Sequence, residues 1–482
     1  MWKTGFAAGA LALTIGQAAF AAGNVTLTDA AKGFSLSGDI IGFNGESYSV
    51  FDGKDIQNIA ANGITCEGAG CPPAKFSIAE APGYPGLLQA LIESFVITLD
   101  FDVAQSGDTI NISKNNALIA EIDITTGDDA SMMLASQISA ADTSTQLLAF
   151  DALVALGAPV GPRDGLTAAQ VGQIASGQLN SWAELGGADV AINLHAGPIP
   201  AGAVEVAAEW GWQVPEGVAT ISHPRMRDAA DAAANDPYGI AIMPRSQTRA
   251  GRALALNGAC GISTTASSFN VNSGTYQMTY PLWIKRSAQP MPWLGDEFLG
   301  FLDGEFAVDV LQDFGLVAPQ ISVSSLNQEG QRIANAVLAV GEEVPLQDVQ
   351  ELTQMMSGAS RLSATFRFRS GSTTLDAASR TVVNRLAEAI ILGTYADKVI
   401  HLAGFSDAAG AQDVNKKISA QRATAVKEAI LAAAPAGMLD DVNFEIAGYG
   451  EASPLVCTDA PNAADLNRRV EVWIKDRPAD AQ

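Results

Sequence analysis

Hydrophobic and polar positions change their period several times along the chain. Leu36-Ser37-Gly38-Asp39-Ile40-Ile41-Gly42-Phe43 and Ser47-Tyr48-Ser49-Val50-Phe51 read as strands, with Asn44-Gly45 between them as a hairpin turn signal. Cys66-Glu67-Gly68-Ala69-Gly70-Cys71, followed by Pro72-Pro73, closes a small β unit. From Phe76 to about Val323 short strands alternate with helical stripes, the pattern of an α/β layout. Residues 76–79 and 118–124 read as strands. Gly83-Tyr84-Pro85-Gly86 reads as a turn, and 87–99 as a core helix running into a strand. Helical apolar spacing recurs at 168–175 and 298–314.

A polar, Glu/Gln-rich stretch at 327–358 has helical spacing at Ile333, Val337 and Val340 and predicts a linker or connecting helices. The remainder predicts a compact α/β domain. Phe366 and Phe368 alternate with Arg367 and Arg369, as in a half-buried strand. Val382, Val383, Leu386 and Ile390 form a helical stripe, and 399–403 a second strand. Ala423, Val426 and Ile430 mark a second helix. Phe444 with Ile446, then Val470, Val472 and Ile474, mark two more strands.

Composition narrows the function classes. The chain of 482 residues is 48% hydrophobic, which favours several domains with real cores over disorder. A formal charge of -24 argues against a nucleic-acid partner, which needs a basic footprint, and against adhesion to anionic lipid. Lys3, the apolar run 6–15 and Ala19-Phe20-Ala21 predict a secretory signal over residues 1–21. No Cys follows that site, so no N-terminal lipid anchor is expected, and no other apolar run is long enough to predict a transmembrane segment. Export permits disulfides. Cys66 and Cys71 are the favoured local pair; Cys260 and Cys457 either bridge two domains or stay free.

Four motifs occur in order near the C-terminus: Phe366-Arg367-Phe368 with Leu375; Leu402-Ala403-Gly404-Phe405-Ser406-Asp407; Asn415-Lys416-Lys417-Ile418-Ser419-Ala420-Gln421-Arg422-Ala423; and Gly448-Tyr449-Gly450-Glu451 with Pro454, then Asn467-Arg468-Arg469-Val470-Glu471-Val472. Together they resemble the OmpA-like peptidoglycan-binding domain. The resemblance implies a ligand, the diaminopimelate branch of the stem peptide, whose end carries both an ammonium and a carboxylate. Asp407 would accept from the ammonium. Arg422, in the first turns of the following helix, would grip the carboxylate with two N–H groups, assisted by the helix N-terminus. Ser406 and Asn415 are neutral candidates, and Arg468 or Arg469 would order the site. Taken singly, Asp407 reads as a turn-former and Arg422 as a solvated surface residue.

The middle of the chain resembles the phosphate-binding class of periplasmic solute-binding proteins. The resemblance is carried by Ala149-Phe150-Asp151-Ala152-Leu153-Val154, Leu166-Thr167-Ala168-Ala169-Gln170-Val171, Gly177-Gln178-Leu179-Asn180-Ser181-Trp182-Ala183-Glu184-Leu185, Asp236-Pro237-Tyr238-Gly239-Ile240-Ala241 and Tyr280-Pro281-Leu282. It implies two α/β lobes around a cleft and an oxyanion held by N–H groups and hydroxyls. The loops depart from that pattern. The first reads Ala79-Glu80-Ala81-Pro82-Gly83-Tyr84, the second places Asp128 and Asp129 beside Thr125, Thr126 and Ser131, and the third reads Leu194-His195-Ala196-Gly197-Pro198-Ile199 with no matching Arg. Carboxylates repel an anion and proline removes a donor. Thr126, Ser131 and His195 are the cleft candidates, with a small anion such as phosphate as the candidate ligand.

Catalytic patterns are scarce. The three histidines, His195, His223 and His401, form no HExxH arrangement, and no Gly-x-Ser-x-Gly elbow or zinc-spaced Cys pair occurs. The expectation is a multidomain α/β protein needing no cofactor: signal 1–21, a small β unit 22–73, a two-lobed solute-binding domain 74–325, a helical connector 326–360 and an OmpA-like α/β sandwich 361–478. Its expected role is a non-enzymatic periplasmic binding protein held at the cell wall and outer membrane. Two roles compete with it: an envelope scaffold whose solute-binding domain docks a protein partner, and a wall-associated hydrolase with an unrecognised site.

Overall fold

The computed structural model describes residues 25–477, apart from 69, 82, 128, 139–143, 158–164, 210–219, 249–251, 259, 289–290, 328, 339, 341–343, 369–371, 459 and 461. The expected signal segment, Asp128 and Arg369 lie outside the described residues. The chain is a mixed α/β protein that divides into two compact units.

The first unit holds the chain through Ala79, then Ile92–Ser131 and Ser287–Leu302. Its N-terminal sheet has five antiparallel strands in the order Ile56–Ala60, Ser47–Phe51, Phe34–Phe43, Val25–Asp29, Thr65–Glu67. The hairpin turns at Asn44-Gly45, where Gly45 adopts a φ of +86° and the Asn44 carboxamide oxygen accepts from the Glu46 and Ser47 N–H groups. A second set of strands runs Ala74–Ala79, Ala117–Thr125, Thr109–Lys114, Asp102–Ser106, parallel at the first pairing and antiparallel thereafter. The N-terminal sheet is not an isolated unit. Asn115 donates to Glu46 at 3.0 Å, and both sheets belong to one compact body. Helix Leu87–Thr98 continues through the residues expected to begin a strand.

The second unit joins Glu80–Leu91, Met132–Arg286 and the chain from Asp303 onward. Its central strand, Thr145–Gly157, is buried from Leu147 on, which a run apolar at every position but Asp151 anticipates. That strand lies between Gly239–Pro244 and Thr279–Arg286. Asp151 is the polar exception. Its carboxylate accepts from the Tyr84 and Ser246 hydroxyls and from the Ser246 and Ala152 N–H groups. The stripe at 168–175 forms helix Ala168–Ala175, started by a reciprocal Thr167/Gln170 capping box. The stripe at 298–314 is two helices, Trp293–Phe301 of the first unit and Glu305–Asp313 of this one, because Asp303-Gly304 interrupts it.

The C-terminal sheet has the order Val323–Ser325, Ser360–Arg367, Arg469–Asp476, Lys398–Phe405, Asn443–Gly448. Only its last pairing is parallel. Helices Ala377–Ile391 and Gln412–Ala432 supply one core with Leu362, Phe366, Leu402 and Val472. Gly404 and Gly448 let the long helix lie directly on the sheet: a Cβ at either would strike the backbone of Ser419 or Lys416. The opposite face is roofed by Gly330–Leu338 and Leu346–Met356, which pack near Ala403, Phe405 and Trp473. The stretch expected as a linker or connecting helices thus forms two helices, and these pack on the sheet that follows.

Within this second unit the C-terminal sheet is fastened to the preceding lobe. Cys260 and Cys457 form a disulfide. Arg367 donates to the Gly274 carbonyl at 2.6 Å, Arg361 to the Thr275 hydroxyl at 3.1 Å, and Arg385 pairs with Asp303 at 2.6 Å. Beneath these contacts Glu471 is fully buried among Arg332, Arg361 and Arg469. Phe405 stacks on Arg469, its centroid 4.1 Å from the guanidinium carbon.

Candidate functional site

Strand Lys398–Phe405 delivers Ser406 and Asp407 to the edge of the C-terminal domain, and helix Gln412–Ala432 begins just beyond. Asp407 Oδ1 accepts from the Ala409 N–H at 2.9 Å, an Asx turn that fixes the carboxylate. Its Oδ2 accepts from Arg468 Nη1 at 2.7 Å. Arg468 also pairs with Asp465. Arg468 thus sits just ahead of the last strand and binds the site's own acid.

Arg422 is 6% exposed. Its guanidinium lies over the Phe368 ring at 5.6 Å. Its Nε is enclosed without a hydrogen-bond partner, and the side chain makes no ion pair among the described residues. Burial, then the Arg468 charge, push the guanidinium below its ordinary pKa, and Asp407 opposes them. Arg422 is ten residues past the helix start at Gln412, about 15 Å along the axis. The helix N-terminus therefore does not assist it, contrary to the expectation from sequence. Asn415, which does lie in the first turn, donates to Glu451 at 2.7 Å. Ser406 is buried, and its Oγ has no partner among the described residues.

This arrangement offers one carboxylate and an unpaired buried guanidinium close enough for their charges to interact, with an unpartnered hydroxyl next to the acid in the chain. Chemically it suits a ligand end bearing both signs of charge. Phe368, Glu451 and Asp465 complete it. Phe368 and Glu451 stood in the motifs without a role. Asp465 carried no signal, being one acid in an acidic chain.

Two of the three cleft candidates, Ser131 and His195, are hydrogen-bonded within the protein. Thr126 follows strand Ala117–Thr125 in the first unit. Ser131, also there, exchanges hydrogen bonds with Ser77: each hydroxyl accepts from the other's N–H. His195 belongs to the second unit, on strand Asn193–Ala196, and is buried. Its Nε2 lies 3.1 Å from Asp236 Oδ2 and its Nδ1 lies 3.1 Å from His223 Nε2, so neither nitrogen is left for a ligand. Burial tends to raise Asp236, but the Tyr238 N–H, Asn193 and His195 outweigh it and hold the acid below its usual range. The first and third loops meet directly. Gly83 has a φ of +101°, and a Cβ there would fall 2.5 Å from Pro200 Cγ. The Gly202 N–H is already taken by the Ser136 hydroxyl at 2.8 Å.

Cys66 and Cys71 form a disulfide. Among the described residues no group of three or more His, Cys, Asp or Glu could hold a metal, and no helix is long and apolar enough to cross a membrane. His401 pairs with Glu445 at 3.1 Å on the sheet.

The OmpA family model matches residues 367–468, so this part of the chain is an OmpA-like domain. The Escherichia coli (strain K12) protein named "Probable lipoprotein YiaD" is 29% identical over 107 residues, 22% of this chain and 46% of that protein. The chain thus spans under half the length of that curated relative. Among solved structures, an ABC-type phosphate transport receptor from Vibrio cholerae is similar at 16% identity, covering 51% of this chain and 100% of that one, with a TM-score of 0.40. The peptidoglycan-associated lipoprotein from Burkholderia pseudomallei is similar at 18% identity, covering 23% and 89%, with a TM-score of 0.20.

Proposed function

We propose that this is a non-enzymatic protein of the periplasm, held at the cell wall by its OmpA-like domain. Arg422 carries the reading. A buried guanidinium whose Nε has no acceptor, and which only the Asp407 charge answers from a distance, is costly unless a ligand supplies an anion in contact with it. The carboxylate of the diaminopimelate branch fits there, hydrogen-bonded to Arg422 and Ser406. The neighbouring ammonium fits Asp407, whose carboxylate is held in place by Ala409 and Arg468. Asn415 supports the floor through Glu451. Co-sedimentation with insoluble peptidoglycan tests this. The wild-type chain is expected to pellet, and Asp407→Ala and Arg422→Ala to stay in solution. Peptidoglycan with lysine in place of diaminopimelate lacks the end carboxylate and is expected to bind poorly. Equal pelleting of all three proteins would sink the proposal.

For the middle region the scaffold reading is favoured over a phosphate receptor. Pro200 occupies the space against Gly83, and Ser136 has claimed the Gly202 donor that an anion would use. A thermal-shift series with phosphate and sulfate is expected to leave the melting point unchanged. A rise with either anion would restore the solute-binding reading.

A further inference from the structure

A cavity of about 440 Å³ lies between the lobe and the C-terminal sheet, inside the second unit. That size falls within the small-molecule range. Alternation along a strand builds its lobe side: Pro281 and Trp283 share one face of Thr279–Arg286, and Phe150 is the cross-strand partner of Pro281. Arg367, at the end of strand Ser360–Arg367, and the first turns of helix Ala377–Ile391 border it on the other side.

The lining carries charge of both signs. Burial pushes the Arg367 guanidinium below its ordinary pKa, and Asp376 and Glu471 oppose that. Glu205 also lines the cavity but is exposed to solvent. Charge is therefore answered within the protein, and the cavity calls for neither an anion nor a cation. Hydrogen bonding is not answered. Gln277 is 8% exposed and Trp283 3%, and neither the carboxamide nor the indole Nε1–H finds a partner among the described residues. Both groups are open to the cavity rather than enclosed by protein. An unmade hydrogen bond on a group this buried is costly. Asp376 gives Oδ1 to the Ser379 N–H, and its Oδ2 accepts from nothing among the described residues. The indole only donates, the carboxylate only accepts and the carboxamide does both. Hydroxyl groups meet all three demands. Phe150, Pro281 and Val382 add an apolar wall that suits the C–H face of a ring.

We propose that this cavity binds an uncharged pyranose sugar of one or two rings. Its hydroxyls meet the Gln277 carboxamide, the Trp283 Nε1–H and Asp376 Oδ2, and its C–H face lies on Pro281 and Val382. The site is separate from the wall site, since neither Asp407 nor Arg422 lines it.

Saturation-transfer NMR on the exported full chain tests this with glucose, maltose, N-acetylglucosamine and N,N′-diacetylchitobiose. At least one is expected to show transfer, with a Kd of about 1 mM. The proposal holds whether the N-acetylated sugars alone respond, which marks wall glycan as the source, or glucose or maltose does, which marks a free solute. Gln277→Leu and Trp283→Phe each remove one hydrogen-bonding group and are expected to weaken binding about tenfold. Gln277→Leu should not lower Tm, because it removes an unsatisfied polar group, so its lost binding is not lost folding. Ala378→Phe fills the cavity from the first turn of the helix and is expected to abolish transfer, and Asp407→Ala to keep it. Glucuronate and glucosamine, an anion and a cation at about pH 6, are expected to bind about tenfold more weakly than the best neutral sugar. No transfer from any of the four sugars means that water alone fills the cavity and overturns the proposal. So does a charged sugar that binds as well as the neutral ones, transfer that survives Ala378→Phe, or binding unchanged in both Gln277→Leu and Trp283→Phe.

Discussion

Arg468 Nη1 stands 2.7 Å from Asp407 Oδ2, with the two side chains only 14% and 17% exposed. The acid of the proposed wall site is therefore paired before any ligand arrives. With the Ala409 N–H on its other oxygen, the carboxylate cannot rotate. Its charge is partly answered by Arg468, so an incoming ammonium shares it. Arg422, by contrast, waits without a partner. The site is preset on the acid side and unsatisfied on the base side.

This asymmetry separates the roles of the two arginines. Arg422→Ala removes a group proposed to touch ligand and is expected to weaken wall binding by about 2–5 kcal/mol. Arg468→Ala removes an orienting group and is expected to cost about 1–2 kcal/mol of binding. The Asp407/Arg468 double variant should then bind no worse than Asp407→Ala alone. Co-sedimentation isotherms measure all four. Losses from Arg468→Ala and Asp407→Ala that simply add would show that Arg468 acts elsewhere.

The Cys260–Cys457 disulfide closes a loop with a sequence separation of 197. Loop-closure entropy for a ring of that size is worth about 5 kcal/mol at most, and measured bridges typically return about 2–4 kcal/mol. The Cys260→Ser/Cys457→Ser double variant is expected to lose that much in a urea unfolding series. Reduction of the wild type, which opens Cys66–Cys71 as well, should lower the midpoint at least as far. Unchanged midpoints would mean that the buried contacts of Arg361 and Arg367 hold the lobe without the bridge.

Much of the C-terminal domain was legible because its residues speak locally. Phe366, Val383, Leu402 and Val472 keep the period of their own strand or helix, and all reach one core. What was not legible depended on long-range contact. Ile333 and Val337 have helical spacing, but nothing local says that their helix lies on the back of a sheet. Arg367 and Arg361 look like the solvent face of a strand; the lobe that covers them is some ninety residues away in sequence. His195 looked like a ligand group because Asp236 and His223, which absorb both nitrogens, are forty-one and twenty-eight residues distant.

The engagement of His195 has a measurable consequence. His195→Ala leaves Asp236 with one hydrogen bond fewer and His223 without its partner, beneath helix Met226–Asn235. An expected loss of about 0.5–1.5 kcal/mol follows from the lost hydrogen bonds, since Asp236 and His223 are only half-buried. His223→Ala should cost less, because the His195–Asp236 contact survives. Urea unfolding of both variants checks the order, and a neutral His195→Ala would return that residue to the list of ligand candidates.

Glu471 gives the sharpest pH signature. Burial alone would raise its carboxyl, but Arg332, Arg361 and Arg469 outweigh burial and hold it well below the usual 4.5. A carboxyl depressed in the folded state stabilises that state fully above its unfolded value, and the stabilisation drains away as pH falls below 4.5 toward the folded value. Its partner Arg469 is pushed down by burial to about 9 and stays charged at neutral pH. Glu471→Gln would bury three guanidinium groups with only Glu329 to answer them. At neutral pH that variant is expected to lose about 3–5 kcal/mol, the usual cost of breaking a buried pair. Below pH 4.5 the gap between wild type and variant should narrow, because the wild type gives up what the variant never had. Other acids titrate equally in both proteins, so the difference between their unfolding curves isolates Glu471. A gap that stays constant from pH 7 to pH 3 would show that the loss at neutral pH comes from packing rather than from charge.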